Sequence, residues 1–162
     1  MTAPDPTADD AFQRAAEELW MPVYRFALAL TNDLGDADDV AQEAFVRLWR
    51  TRATIDWTEP VVGWLVVAAR RVALDRFRRL ARELRLRPAP SVPLGLDATT
   101  IERFVDLRPQ LARLTAHERA AILLSAVEGW STEEVGAALG ISAGAVRAAA
   151  SRGRAKLAGD GQ

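Results

Sequence analysis

The 162 residues contain no cysteine and a single histidine, His117. Disulfides, thiolate metal sites and redox-sensing thiols are thereby excluded, and no histidine cluster exists to hold a metal. No apolar run is long enough to cross a membrane. The first residues, MTAPDPTADD, are acidic and lack the basic, apolar and cleavage regions of an export signal. The reading is a cytoplasmic chain without membrane insertion. Also missing are a glycine-rich phosphate loop and a nucleophile paired with a base, so no enzyme, catalytic residue, metal or cofactor is expected.

What is present begins with segregated charge. The formal net charge is −1, yet residues 1–45 carry −8, residues 46–87 carry +7, residues 88–140 carry −3 and residues 141–162 carry +3. Such alternation suits a chain with two kinds of partner, basic blocks facing nucleic acid and acidic blocks facing protein or shielding the basic ones, although solvated helix faces would explain any one block alone. The length fits one ordinary domain or two small ones, and 49 % hydrophobic residues suffice for a core.

Period-3.6 patterning is widespread and no convincing period-2 strand occurs, so the fold class expected is all-α. Pro88, Pro90, Pro93 and Gly95 interrupt the chain between two helical halves. The spacing in DADDVAQEAFVRLWR, residues 36–50, predicts a helix whose inner face is Val40, Ala41, Ala44, Phe45 and Leu48, with Asp39, Gln42, Glu43 and Arg50 opposite. Gly35 and Asp36 suit its start. A helix from about Pro60 to Leu84 follows, turning Leu65, Ala68, Ala69 and Val72 inward. Its polar face holds Arg71, Asp75 and Arg78, flanked by Arg70, Arg76 and Arg79.

In the second half, TAHE (115–118) and STEE (131–134) read as capping boxes, and Ser142 reads as the N-cap of a third helix. Two helices crossing over a short turn need a small contact residue, a glycine able to take positive φ and a shared apolar interface. Gly136 and Gly140 meet the first two needs, while Val135, Leu139, Ile141, Val146 and Ala149 meet the third. Apolar spacing alone would also suit an unrelated helical hairpin, but the glycine placement favours a helix-turn-helix. Its last helix is expected to bury Val146, Ala149, Ala150, Gly153 and Leu157 and to expose Arg147, Ala148, Ser151, Arg152, Arg154 and Lys156. The four cations suit phosphates. Only Arg147, Ser151 and Arg152 look able to reach base edges, with Ala148 limited to apolar contact.

The run DADDVAQEAFVRLWR, then GWLVVAARRVALDRFRR (63–79), a proline-containing linker, and LTAHERAAILLSAVEGWSTEEVGAALGISAGAVRAAASRGRAKL (114–157) resembles an extracytoplasmic-function (ECF) RNA polymerase sigma factor of the sigma-70 superfamily. The resemblance covers roughly 120 residues in the family's order. It implies two small helical domains and the following division: a disordered N-terminus (1–10), region 2 (11–85), a linker (86–107), the region 4 helix-turn-helix (108–158) and a tail (159–162). It also implies non-enzymatic, promoter-specific initiation with core RNA polymerase, through its β′ coiled coil and β subunit, on promoter DNA, under the control of an anti-sigma factor. Carried over by position, polymerase binding falls to Asp39, Gln42, Glu43, Arg47 and Trp49. The −10 element falls to Arg52, Trp57, Arg70, Arg71, Asp75 and Arg78, and the −35 element to Ser142, Gly144, Arg147, Ala148, Ser151 and Arg152. Trp57 has two readings, a stacking platform for an extruded base or a satellite core residue over helix ends; Trp64 is assigned to the core.

Two departures stand out. Arg71 occupies the place of an asparagine that shapes the family's base pocket, and AVRAAA replaces the familiar TVKSRL. Losing a large residue at Ala150 would cost about 2–5 kcal/mol unless neighbours fill the space. A stand-alone helix-turn-helix regulator and a degenerate, protein-binding sigma relative are the rival readings.

Overall fold

The computed structural model describes residues 6–82, 98–126 and 128–159. Among them seven helices follow in order: α1 (Pro6–Thr31), α2 (Leu34–Thr51), α3 (Val62–Arg82), α4 (Ala98–Ala112), α5 (Ala116–Ala126), α6 (Thr132–Leu139) and α7 (Ala143–Ala158). No strand occurs among the described residues. The four linker residues Pro88, Pro90, Pro93 and Gly95 lie outside them.

Helix α2 starts where Asp33, in extended backbone, accepts the Asp36 N–H and caps the first turn. Its predicted inner face is the real one: Val40, Ala41, Ala44, Phe45 and Leu48 are all buried. The expected start of α3 near Pro60 shifts to Val62, and Leu65, Ala68 and Ala69 are buried while Val72 is half-buried. α1, α2 and α3 pack around Val23, Tyr24, Phe26 and Leu48.

Two boundaries differ from those expected. α1 begins at Pro6, so residues 6–10 are helical where a disordered N-terminus was expected, because Ala8 and Ala11 find buried places. α4 begins at Ala98, so the span assigned to the linker is helical from there on.

Both capping boxes form. Thr115 N–H donates to Glu118 at 2.9 Å and Glu118 N–H to Thr115 Oγ1 at 3.2 Å; Ser131 and Glu134 reciprocate in the same way. Gly140 takes φ +70° after α6, and a Cβ on Gly136 would lie 2.7 Å from the Ile141 carbonyl oxygen. Both glycines are therefore required by the turn. Ala149, Ala150 and Gly153 are buried as expected, and Leu157 is half-buried.

The two halves share one hydrophobic cluster, which runs from Val23 and Phe26 in α1 to Leu124, Val135 and Val146. Phe26 stacks on Trp130 with centroids 6.3 Å apart. Arg119 joins the halves with its guanidinium. It donates to the carbonyls of Ala29 and Leu30 at the end of α1, and to those of Leu111 and Leu114 around the end of α4. One buried cation thus bonds carbonyls at two helix C-termini, where the helix dipole favours positive charge.

Candidate nucleic-acid interface

The DNA-reading candidate on α7 is built from its cap outward. Ser142 accepts the Ala145 N–H at 3.1 Å, which fixes the helix start beyond the Gly140 turn. With Val146, Ala149, Ala150 and Gly153 turned inward, the opposite face exposes Gly144, Arg147, Ala148 and Ser151, with Arg152 on its flank. All six residues expected at the −35 element are exposed on or at the start of this helix. The small residues are matched by close packing: a Cβ on Gly153 would lie 2.6 Å from Ile122 Cδ1 and 3.3 Å from Glu118 Cβ. At Gly153, α5 and α7 approach closely enough that no room is left for a side chain.

The candidates expected at the −10 element are divided among several environments. Arg71 is exposed, and Arg78 pairs with Asp75 at 3.5 Å on the exposed face of α3. Arg70 instead turns toward the second half, where its Nη1 donates to the Leu139 carbonyl at 3.5 Å beside Gly140. Its Nε is buried without a hydrogen-bond partner. Arg52 pairs with Asp9 of α1, donates to the Trp49 carbonyl at 2.8 Å and lies 3.5 Å over the Trp49 ring. Trp57 is half-buried against the main core and donates its indole N–H to the Arg52 carbonyl at 2.9 Å. That placement agrees with the satellite-core reading and supplies the tryptophan's polar partner from within the loop.

The stripe expected to bind polymerase lies along one side of α2. Glu43 pairs with Arg47 at 3.0 Å, and Asp39 accepts from Arg76 at 2.9 Å, as does Asp36. Gln42 donates to Asp38 at 2.6 Å. Trp49 is 41 % exposed, with one edge contact to Phe12. Asp38 is buried, and removal from water pushes its carboxyl above the ordinary value despite the Gln42 bond.

Four residues of the site lie beyond the sequence reading. Asp9 belongs to a segment expected to be disordered, and Arg76 was visible only as a flanking cation. Glu118 was read as a cap alone, yet it also accepts from Lys156 at 2.8 Å. Arg119 bonds carbonyls up to 90 residues away in sequence. No local signal announces such long-range partners; the one hint for Glu118 and Arg119 is that two charged residues directly precede the buried Ala120 and Ala121.

Known families and proteins match this arrangement. Residues 16–83 match the family described as Sigma-70 region 2, and residues 105–157 match Sigma-70, region 4. A Mycobacterium tuberculosis protein, ECF RNA polymerase sigma factor SigL, is 34 % identical over 149 residues, covering 86 % of this chain and 83 % of its own. The structure of CnrH in complex with the cytosolic domain of CnrY is 26 % identical, covers 94 % of this chain and 92 % of that one, and superposes with a TM-score of 0.64. The sigma factor RpoE in complex with the anti-sigma factor NepR from Bartonella quintana shares the fold, with a TM-score of 0.69, 23 % identity and coverage of 90 % and 93 %.

Proposed function

The chain belongs to the sigma-70 family of RNA polymerase sigma factors, in its extracytoplasmic-function group, and from that premise we propose how its surfaces divide the work of initiation. Residues 11–85 act as the region 2 domain. The α2 stripe of Asp39, Gln42, Glu43, Arg47 and Trp49 docks on core polymerase, and Arg71, Asp75 and Arg78 on α3 meet the −10 strand. Residues 108–158 act as region 4 and place α7 in the major groove at the −35 element. Arg147, Ser151 and Arg152 face base edges there, and the helix start at Ser142 and Gly144 meets phosphate.

The observation that carries this reading is the exposed, N-capped α7, with its readers displayed opposite a buried face of small residues. The chain itself performs no bond chemistry in this account, and its site of action is the cytoplasm. Among the described residues no helix is long and apolar enough to cross a membrane. An anti-sigma partner is part of the proposal. A groove of about 470 Å³ between α1, α3 and α6, lined by Leu19, Pro22, Val62, Val66, Trp130 and Ala138 among others, offers an apolar seat at the junction of the two halves.

The test is transcription by core polymerase with this protein on genomic DNA, followed by sequencing of transcript 5′ ends. Defined start sites sharing −10 and −35 sequences are expected. Failure to bind core polymerase, or start sites without a shared sequence, overturns the reading. A pull-down from the native host should recover polymerase subunits together with a regulator.

A further inference from the structure

Glu118 does more than close the capping box of α5. Its side chain is 3 % exposed, and Oε2 accepts both the Thr115 N–H at 2.9 Å and Lys156 Nζ at 2.8 Å. The other oxygen, Oε1, lies 3.6 Å from Nε of Arg152. Arg152 and Lys156 stand one turn apart on α7 and so share a single buried counter-charge across the α5–α7 seam. Gly153 lies between them, and its absent side chain lets the seam close on Glu118. The bonds from Lys156 and Thr115 hold the Glu118 carboxyl below the ordinary glutamate value, so it is ionised at neutral pH.

The atom of Arg152 that faces the acid matters. A guanidinium carries five N–H donors in a planar fork, and Nε lies on the side of the stem. Pairing through Nε engages the side edge of the guanidinium and leaves its end edge, formed by one N–H from each terminal nitrogen, free; that end fork can grip guanine O6 and N7 together. An arginine held at its stem side presents its fork in fewer orientations than one attached only to a flexible chain.

We propose that Glu118 is a positioning residue for DNA reading, which holds Arg152 through Nε so that its terminal guanidinium fork faces a guanine edge in the major groove. The proposal rests on the reading of α7 as the −35 reader. It adds that specificity depends on a buried acid outside the recognition helix.

The experiment uses the full-length chain with core polymerase on a promoter recovered by 5′-end sequencing, and on a copy whose −35 guanine pairs are transversed. The ratio of initiation rates on the two templates is read. Glu118→Gln keeps the capping bond to Thr115 and is expected to lower the ratio roughly tenfold, the size of one bidentate base contact. Arg152→Ala should lower it equally, and Glu118→Gln should add nothing in the Arg152→Ala background. A residue that merely braced α7 would lower the ratio further in that background, which would overturn the proposal. An unchanged ratio in Glu118→Gln would overturn it as well. Should Glu118→Gln fail to fold by circular dichroism, Arg152→Lys keeps the charge but not the fork. It should lose the ratio at an unchanged salt dependence of binding, and retention of the ratio sinks the idea. A wild-type chain that yields no start sites refutes the sigma-factor reading, whereas normal wild-type initiation with a fully discriminating Glu118→Gln variant refutes the positioning role alone.

Discussion

Gly136 and Gly144 are separated by one turn of the motif and respond oppositely to the same change. A Cβ at Gly136 would meet a backbone oxygen at 2.7 Å, which cannot swing aside, whereas at Gly144 the nearest atom is the Ser142 hydroxyl at 3.8 Å. Gly136→Ala is expected to destabilise by about 1–3 kcal/mol through overpacking. Gly144→Ala should stabilise by up to about 1 kcal/mol by removing glycine's conformational freedom; urea unfolding of the two variants compares them directly. Glu118 sets a pH dependence at the same scale. Its folded-state pKa is lowered, so its contribution is present above the ordinary glutamate value of 4.5 and is lost as the pH falls through and below it. Melting temperatures measured between pH 6 and 3 should decline less steeply in Glu118→Gln than in the wild type. An equal decline would mean the carboxylate contributes nothing when ionised. The cap role of Glu118 was legible because capping is local, three residues from donor to acceptor. Its grip on Lys156, 38 residues on, was not.

For α7 the question is how a helix can afford AAA where larger residues are familiar. Ala149 is 1 % exposed and lies on the same side as Gly153, one turn later, where the approach of Ile122 leaves no room for even a methyl group without movement. The small face is therefore filled by proximity to α5 rather than by volume on α7. Ala149→Leu should then destabilise by about 1–3 kcal/mol, as expected for adding methylenes to a packed seam. A gain in stability by chemical unfolding would instead reveal a void. Periodicity located the buried and exposed faces of α2, α3 and α7 correctly, since amphipathic spacing is a property of each helix alone. It did not assign α1, whose interior contains Pro22, a residue that sequence rules place at helix breaks. Nor did it anticipate α4, which begins within the expected linker and holds Pro109 in its interior.

At the scale of the whole molecule the two halves are packed together, and this arrangement has a consequence for reach. Elements named for positions −10 and −35 are about 25 base pairs apart, or about 85 Å at 3.4 Å per step. A compact chain of this length has a radius of gyration of about 15 Å. On the proposed reading the halves must separate before both elements are held, releasing Arg70 from Leu139 and Arg25 from Glu128, which pair at 2.9 Å. The absence of native cysteine allows a direct check. Arg25→Cys with Glu128→Cys, joined by a short bis-maleimide, is expected to lose initiation at a promoter that needs both elements, while the unlinked double variant retains it. Full activity of the linked form would show that opening is unnecessary. The all-helical class, the caps, the helix-turn-helix glycines and the buried face of each patterned helix can be read along the chain, because these depend on residues within about one or two turns of each other. Packing in three dimensions is what lets Arg119 close two helix ends at once, sets Arg70 on the turn of the other half and leans Arg152 on a buried acid. Those outcomes rest on charges finding partners across the fold, and neither spacing nor composition records which distant carbonyl or carboxylate will be within reach.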